Sequence, residues 1–308
     1  MSEIVPIYHG RRNFLGSEDL VISFYTEKCQ YRCSFCGLPE RSSNRPVNPQ
    51  RIRDQVDTVF DIYTDWLPTF GQLSVGNEGS ILDGKRFPPE AFDYLIDKSR
   101  IMPSLRVLSL ETRPEYARED RLREIMDSST AEKLDLTVGF ETLDDDLRNR
   151  VLNKHMSRQL FEDVIKLLGK IGARLTSYVM LKPGPNMTDE EGIKEAVQTA
   201  QYIGEKCSKE NTECVIYLNP TYVARDSRLA HQMKETGYRP PKIHDVMRTV
   251  IGIKNLGLPV YVGLSSEGLS IADGDVRSSE GFDRKAKRAV KKFNRDQDVS
   301  IFQGILRV

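Results

Sequence analysis

Segments in which hydrophobic residues follow a pattern typical of β-strands alternate along the chain with segments in which they have the period of α-helices. The segment 20–26 (LVISFYT) is rich in β-branched and aromatic residues, as buried strands are. The segment 48–67 instead places Ile52, Val56 and Phe60 on one helical face. The predicted strands are 20–26, 72–80, 105–115, 133–142, 174–184, 212–223 and 259–265. The predicted helices are 48–67, 88–102, 117–128, 157–172, 189–207 and 241–257.

This order predicts an α/β fold built from right-handed βαβ units, because successive parallel strands need a crossover helix between them. About seven strands suggest a barrel or a partial barrel, with functional groups at the carboxyl ends of the strands. Ser157 is expected to cap the helix 157–172, which ends on a glycine.

Two terminal segments flank this pattern. Residues 1–17 are expected to form an N-terminal arm, and residues 271–308 a basic C-terminal extension. The run 277–295 is polar with little hydrophobic periodicity, which predicts a solvated face or a mobile tail. The final segment 299–308 (VSIFQGILRV) is apolar enough to dock against another part of the protein.

The composition is that of an ordinary globular chain, with 39% hydrophobic and 29% charged residues among 308. The net charge of zero gives no overall attraction to nucleic acid or to an anionic membrane. No run approaches the ~20 apolar residues of a membrane span, and the N-terminus lacks the apolar segment of a secretory signal. A cytoplasmic protein without a membrane partner is therefore expected, and its five cysteines favour metal binding or catalysis over disulfides.

Reactive side chains follow the ends of the predicted strands. They are Cys29, Glu78, Glu111, Arg113, Glu141, Lys182 and Asn219. A single residue of this kind is typical of a charged loop. Because the carboxyl ends of barrel strands meet at one rim, six such strand ends together predict a common site.

Three of the five cysteines, Cys29, Cys33 and Cys36, have the spacing Cys-x3-Cys-x2-Cys. Thiolates suit zinc and iron–sulfur clusters. A structural zinc site needs a fourth ligand, for which His9, Cys207 and Cys214 are the candidates. A [4Fe–4S] cluster held by three thiolates instead leaves one iron open for a further ligand.

The second alternative resembles the radical S-adenosylmethionine (radical SAM) superfamily. The resemblance rests on the cysteine spacing after the first strand of a βα barrel, with Phe35 just before and Gly37 just after the last cysteine. It implies a partial (β/α)6-type TIM barrel over 18–270, the radical SAM core. It also implies that the open iron binds the methionine moiety of S-adenosylmethionine. Cleavage of the sulfonium would give a 5′-deoxyadenosyl radical or, for a different bond, a 3-amino-3-carboxypropyl radical.

Further motifs extend the resemblance to the subgroup of the Elongator catalytic subunit, the archaeosine-forming lyase and their uncharacterised bacterial relatives. They are GNEGS (76–80), LETRPEY (110–116), VGFETLDDDLRNRVLNK (138–154) and YVMLKPGPNMTDEEGIKEA (178–196). The resemblance implies cofactor-binding roles for these positions and for the aromatic residue of the cysteine motif: Phe35, Gly76, Glu78, Glu111, Arg113, Glu141 and Lys182. Glu78 would accept from the amino group of S-adenosylmethionine, Arg113 would donate to its carboxylate or to the substrate, and Lys182 would face its carboxylate.

Three functions follow as hypotheses. The first is a radical SAM enzyme acting on a small molecule or a natural-product precursor, with flavodoxin or ferredoxin as an external electron donor. The second is an enzyme modifying tRNA or a nucleoside, in which Arg41, Arg45 and the basic residues 284–295 contact RNA. The third is a structural zinc protein. Tyr25, Tyr178, Tyr217, Asn219 and Ser265 are candidates to face the barrel interior, whereas Trp66 is expected to anchor a helix end in the core and His155 and His244 to lie in helices.

Overall fold

The computed structural model describes residues 4–266 and 268–306. Residues 1–3 of the predicted arm, residue 267 of the predicted core and residues 307–308 of the predicted extension lie outside the described residues. The strands are β1 (Tyr8–Phe14), β2 (Ser17–Phe24), β3 (Gln72–Asn77), β4 (Val107–Glu111), β5 (Lys133–Glu141), β6 (Arg174–Leu181), β7 (Cys214–Pro220) and β8 (Val260–Val262). The α-helices are α1 (Pro49–Ile62), α2 (Pro89–Ser99), α3 (Glu119–Ser128), α4 (Arg158–Ile171), α5 (Asp189–Lys209), α6 (Arg228–Thr236), α7 (Ile243–Lys254), α8 (Arg284–Asp296) and α9 (Gln303–Leu306).

The eight strands form one sheet in chain order, which curls into a nearly closed barrel. Strands β2 to β8 run parallel, so the predicted α/β barrel-like fold and its seven strands are confirmed. On the outer face of β2, Leu20, Ile22 and Phe24 are fully buried in one core cluster with Ile52 and Val56 of α1. The period-2 and period-3.6 patterns of the sequence therefore mark the interface between strands and helices.

Strand β1 was not predicted, because it lies within the segment expected to be an arm. It pairs antiparallel with β2 along its whole length. Leu15 and Gly16 connect the two strands with φ of 51° and 89°, the backbone of a two-residue hairpin turn. Residues 8–14 are therefore an edge strand of the barrel sheet, and they bring Arg12 into the barrel interior.

The interior at the amino ends of the strands is a polar floor. Arg12 Nε donates to Asp19 at 2.6 Å, and Arg174 Nε donates to Asp135 at 2.6 Å. Gln72 joins the two pairs, since its amide donates to Asp19 at 3.4 Å and accepts from Arg174 at 3.4 Å. Hydrogen bonds to these buried charges offset their loss of hydration, and the network fixes the base of the cavity above it.

Strands β8 and β1 are the two edges of the sheet, and no strand pairing joins them within the described part of the chain. The gap between them, here called the seam, is covered by α8, which packs on both strands. The inward face of α8 buries Ala286, Ala289, Val290 and Phe293. Of the two alternatives predicted for 277–295, the solvated face is confirmed by the exposed cations of α8, whereas a mobile tail is wrong there, because a helix with a buried apolar side forms. Two small alanines weaken its hydrophobic period in the sequence.

Several smaller expectations have clear outcomes. The terminal docking segment is confirmed, because Phe302 and Ile305 are buried. Ser157 caps α4 by accepting from the backbone N–H of Leu160 at 3.1 Å. Trp66 is 45% exposed under the guanidinium of Arg11, so the expected core anchor is wrong.

Of the two histidines expected in helices, His244 lies in α7, whereas His155 has a φ of 51° outside any helix. None of the helices described is long and apolar enough to cross a membrane.

Candidate active site

A cavity of about 260 Å³ lies inside the barrel at the carboxyl ends of the strands. Nine of the predicted site residues line it: Cys29, Cys33, Cys36, Phe35, Gly76, Glu78, Glu111, Arg113 and Glu141. These residues come from the ends of β2 to β5 and from the loops that follow them. The convergence expected from the strand ends is therefore present in three dimensions.

Lys182 is the predicted site residue that does not line the cavity. Its φ of 60° turns the chain at the end of β6. Its ammonium donates to Asp189 at 2.6 Å and to the backbone oxygen of Arg239 at 3.0 Å. Gly192 leaves room for the Lys182 side chain against α5, because a Cβ on Gly192 would lie 2.7 Å from the Lys182 Cβ. The structure thus directs Lys182 toward α5, which corrects the expectation that it faces the cofactor.

The cysteines lie on residues 25–48, here called the cysteine loop, between β2 and α1. The base of the loop is closed by the backbone N–H of Lys28, which donates to Ser43 O at 2.9 Å. Its tip is held against the far side of the barrel, because Ser34 N donates to Leu152 O at 2.9 Å. The cysteine loop, which forms one wall of the cavity, is thereby held by hydrogen bonds at its base and at its tip.

Burial raises the pKa of all three thiols, Cys29, Cys33 and Cys36. Gly79, just after β3, allows the chain to pass close to Cys29, because a Cβ on Gly79 would lie 2.8 Å from Cys29 Sγ. Within the described residues, no three Cys, His, Asp or Glu side chains meet as ligands of one metal ion. The thiols line one cavity without converging on a single point.

Glu78 is the most unusual carboxylate of the cavity. It is 1% exposed, and neither of its oxygens has a hydrogen-bond partner among the described residues. Burial raises its pKa, an effect that the nearby Ser42 hydroxyl and Cys29 N–H offset only in part. The neighbouring Asn77 Oδ1 also lacks a donor in the part of the chain that the structure describes. Because an unpartnered buried carboxylate is costly, this corner of the cavity suits a ligand that brings a cationic donor.

Arg113 clamps the cysteine loop to the opposite wall. Its guanidinium donates to Glu115 at 2.6 Å and to the backbone oxygens of Lys154 and His155 at 3.0 Å each. The plane also stacks on the ring of Tyr31, 3.6 Å from the ring centroid. Among the described residues, protein groups occupy four of its five N–H donors, so Arg113 mainly positions the loop and has one N–H left for a ligand.

Glu141 and Lys154 form a buried ion pair beside the cysteine loop. The Lys154 ammonium donates to Glu141 Oε1 at 2.7 Å, and it lies 5.8 Å from the Phe35 ring centroid. Glu141 has a φ of 70°, and Gly139 leaves the space that both side chains occupy. Although burial opposes its charge, Glu141 and the nearby Cys33 raise the pKa of Lys154. Lys154 is the last residue of the motif 138–154. The sequence did not predict it as a site residue, because nothing in the local pattern indicates where its side chain points.

Glu111 lies deeper in the cavity, where Gly76 leaves room for its side chain. Tyr178 donates to Glu111 Oε2 at 2.9 Å, and its ring meets that of Tyr217 edge to face at 4.9 Å. Arg12 Nη1 in turn donates to the Tyr217 hydroxyl at 3.1 Å. Burial and then the Glu111 charge raise the pKa of Tyr178, which keeps it a neutral donor.

Four of the five candidates for the barrel interior line the cavity: Tyr178, Tyr217, Asn219 and Ser265. Tyr25 does not, since its backbone is bound to the side chain of Gln55 on α1. Arg12, which does line the cavity, was missed because its strand was not predicted.

Comparison with known proteins identifies the family. Residues 23–197, more than half of the chain, match the family model of the Radical SAM superfamily. An uncharacterized protein of Methanocaldococcus jannaschii is 23% identical, covering 94% of this chain and 80% of the relative. The archaeosine synthase subunit beta of Thermococcus kodakarensis is 22% identical over 92% of this chain and 85% of its own length.

Two solved structures share the fold. Elp3 of Methanocaldococcus infernus, with its N-terminus deleted, has a TM-score of 0.52 at 12% identity, over 79% of this chain and 59% of that one. SuiB of Streptococcus suis has a TM-score of 0.51 at 11% identity, over 80% and 51% of the two chains. The family match covers the cysteine loop, Glu78, Arg113 and the Glu141–Lys154 pair. The chain belongs to the radical SAM superfamily, and it is a radical SAM enzyme.

Proposed function

We propose that this enzyme cleaves S-adenosylmethionine reductively at a [4Fe–4S] cluster and uses the resulting radical on a group bound inside the barrel. The observation that carries the proposal is the unpartnered carboxylate of Glu78 in the same cavity as Cys29, Cys33 and Cys36. A single zinc ion needs ligands that converge on one point, whereas each thiolate of a cubane binds a different iron. The three separated thiols and the orphaned carboxylate fit the cluster and the cofactor together.

Seven residues of the cavity then have defined tasks. The three thiols would hold the cluster and leave one iron open, and Glu78 would accept from the ammonium of the methionine moiety. Arg113 keeps the cysteine loop in place, and Lys154 holds the Glu141 carboxylate toward the cavity. When bound, the two cofactors supply one-electron reduction of the sulfonium and a 5′-deoxyadenosyl or 3-amino-3-carboxypropyl radical.

The substrate side of the cavity is built largely outside the family match. Arg12, Tyr217, Asn219 and Ser265 all lie beyond residues 23–197. Their hydroxyl, amide and guanidinium groups suit a small polar group. That group is part of a free small molecule in the first hypothesis and a nucleoside of RNA in the second.

The second hypothesis gains a specific observation from the structure, since the basic tail forms an ordered helix on the barrel wall. Relatives named as subunits of archaeosine synthase also support it. An external electron donor such as flavodoxin or ferredoxin and a cytoplasmic location stay predictions.

Anaerobic reconstitution with iron and sulfide, followed by reaction with dithionite and S-adenosylmethionine, tests the proposal. We expect about four iron and four sulfide per chain, and slow release of 5′-deoxyadenosine without substrate. The appearance of 5′-methylthioadenosine instead would assign the other carbon–sulfur bond.

Cys33→Ala should lose both the cluster and the cleavage. Cys207→Ala is the matched control, because Cys207 is a buried free thiol on α5, outside the cavity. Retained cleavage in Cys33→Ala, or one tightly bound zinc and no chromophore in the wild type, contradicts the proposal.

A further inference from the structure

Helix α8 carries a dense basic surface on a chain whose net charge is zero. Its seven cations, here called the basic face, are all exposed: Arg284, Lys285, Lys287, Arg288, Lys291, Lys292 and Arg295. The helix contains one acid, Asp296. The remainder of the chain therefore carries a matching excess of acids, and positive charge is concentrated on this one element.

The arrangement of the cations is regular. Arg284, Arg288, Lys291 and Arg295 follow one another at spacings of four, three and four residues, so they form a single stripe. At 1.5 Å per residue the stripe is about 16 Å long. The opposite side of α8 packs on the barrel, and the stripe therefore points directly away from the protein.

Most of these charges form no salt bridge with another described residue. Arg295 pairs with Asp296 at 2.6 Å, and the Lys285 ammonium donates to the backbone oxygen of Gly304 at 3.1 Å. Within residues 4–266 and 268–306, no salt bridge involves the other five cations of the basic face. Like charges one turn apart repel each other on a helix, so this surface would be stabilised by an external polyanion.

The basic face leads to the mouth of the cavity. Asn294 is bonded to Val262 and Gln297 to Val260, so α8 runs antiparallel to β8. Its first turn therefore lies at the carboxyl ends of the strands. There Gly281, just before α8, packs against His244 in the first turn of α7.

We infer that the basic face of α8 docks the phosphate backbone of a folded RNA, so that RNA carries the group that enters the barrel. The docking surface stands on the charges of α8, whereas the role of the RNA as substrate rests on the function proposed above. When cations of the protein neutralise phosphates, the counterions condensed on those phosphates are released. This release gives an affinity that does not depend on the RNA sequence. The cavity beside it would supply the selection of one nucleoside.

A lipid surface fits α8 less well. Amphipathic helices that bind membranes insert an exposed apolar face between the lipids. In α8 that face is occupied, because Val290 and Phe293 are fully buried against the barrel. Only the charged side is available, and it suits a partner that offers phosphates in a fixed array.

The test is the binding of fluorescently labelled, unfractionated tRNA to the full chain, measured by anisotropy between about 50 and 200 mM salt. The triple variant R284Q/R288Q/K291Q removes three charges from the stripe without touching a buried residue. We expect the affinity to fall by about tenfold or more, and the salt slope to decrease by about one for each phosphate that the variant no longer neutralises.

The matched control is K166Q/K194Q/K209Q, which removes three exposed lysines from α4 and α5 on another side of the barrel. It should bind tRNA as the wild type does. Absence of wild-type binding at low salt, or an equal loss of affinity in the control, overturns the inference. Binding of phosphatidylserine vesicles but not tRNA, with the same dependence on the stripe, also overturns it.

Cleavage of S-adenosylmethionine in the absence of RNA separates this inference from the proposed function. The triple variant should retain wild-type cleavage, because its residues lie outside the cavity. A chain that binds tRNA through α8 but never cleaves S-adenosylmethionine retains the docking surface and refutes the proposed function. A chain that cleaves but does not bind tRNA refutes the docking surface alone.

Discussion

Asn294 of α8 forms two hydrogen bonds with the backbone of Val262 on β8. Val262 N donates to Asn294 Oδ1 at 2.9 Å, and Asn294 Nδ2 donates to Val262 O at 2.9 Å. One turn later, Gln297 repeats the pattern with Val260 at 3.0 and 2.7 Å. Two side-chain amides thus replace the strand that the edge of β8 lacks, and they protect that edge from pairing with another chain.

Asn294→Leu should therefore lower the free energy of unfolding by about 1–3 kcal/mol for each backbone group of Val262 left without a partner. Urea denaturation measures the change. Lys287→Leu places the same side chain at an exposed position of the same helix and should have little effect. Equal effects of the two substitutions would show that the amide contacts do not matter.

Glu78→Gln should have opposite effects on stability and on cofactor binding. Removing a buried charge without a donor should leave the metal-free protein as stable as the wild type or more stable. Binding of S-adenosylmethionine to the reconstituted protein, measured by equilibrium dialysis, should weaken.

The control for Glu78 is Glu195→Gln. The Glu195 carboxylate accepts from the backbone N–H groups of Leu143 and Asp144, at 3.0 and 3.1 Å. Its neutralisation should destabilise the fold. If Glu78→Gln destabilises the metal-free protein as Glu195→Gln does, Glu78 is a structural residue.

Lys154→Met should destabilise the protein by about 3–5 kcal/mol, because it leaves the Glu141 carboxylate buried without its cation. The double variant Lys154→Met/Glu141→Gln should recover much of this stability. The exposed pair Lys133–Glu213 provides the comparison, and Lys133→Met should cost less than about 1 kcal/mol. A double variant no more stable than Lys154→Met would mean that altered packing, not charge, is responsible.

Gly79→Ala should lower the iron content after reconstitution. The new Cβ would lie 2.8 Å from Cys29 Sγ. The backbone there has a φ of 110°, which residues other than glycine rarely adopt. Gly172→Ala separates the two effects, since Gly172 also has a positive φ of 73° but no atom of the described residues within 4 Å of an added Cβ. It should lose stability yet keep its iron. Equal iron contents in the two variants would contradict the argument.

The alternation of strands and helices and the place of the cysteine loop could be predicted from the sequence alone. Both follow from local properties: the hydrophobic period marks the face that each element buries, and the spacing of Cys29, Cys33 and Cys36 is a feature of one loop. The convergence of Glu78, Arg113 and Glu141 could also be predicted, because the ends of parallel barrel strands lie on one rim.

The direction of side chains at the strand ends, in contrast, depends on tertiary contacts. Lys182 and Glu141 both follow or end a strand with a positive φ, yet Glu141 faces the cavity and Lys182 faces α5. The difference depends on the partners Lys154 and Asp189, which are supplied by other parts of the fold. No period in the sequence contains that information.

The same holds for the terminal segments. β1 became a strand by pairing with β2, and α8 became an ordered wall by covering the edge of β8. Neither has a long apolar run of its own, because each completes an edge that the central strands leave open. β1 pairs with its immediate neighbour in the chain, whereas the role of α8, including the basic face that it presents outward, was set by contacts more than 30 residues apart in sequence.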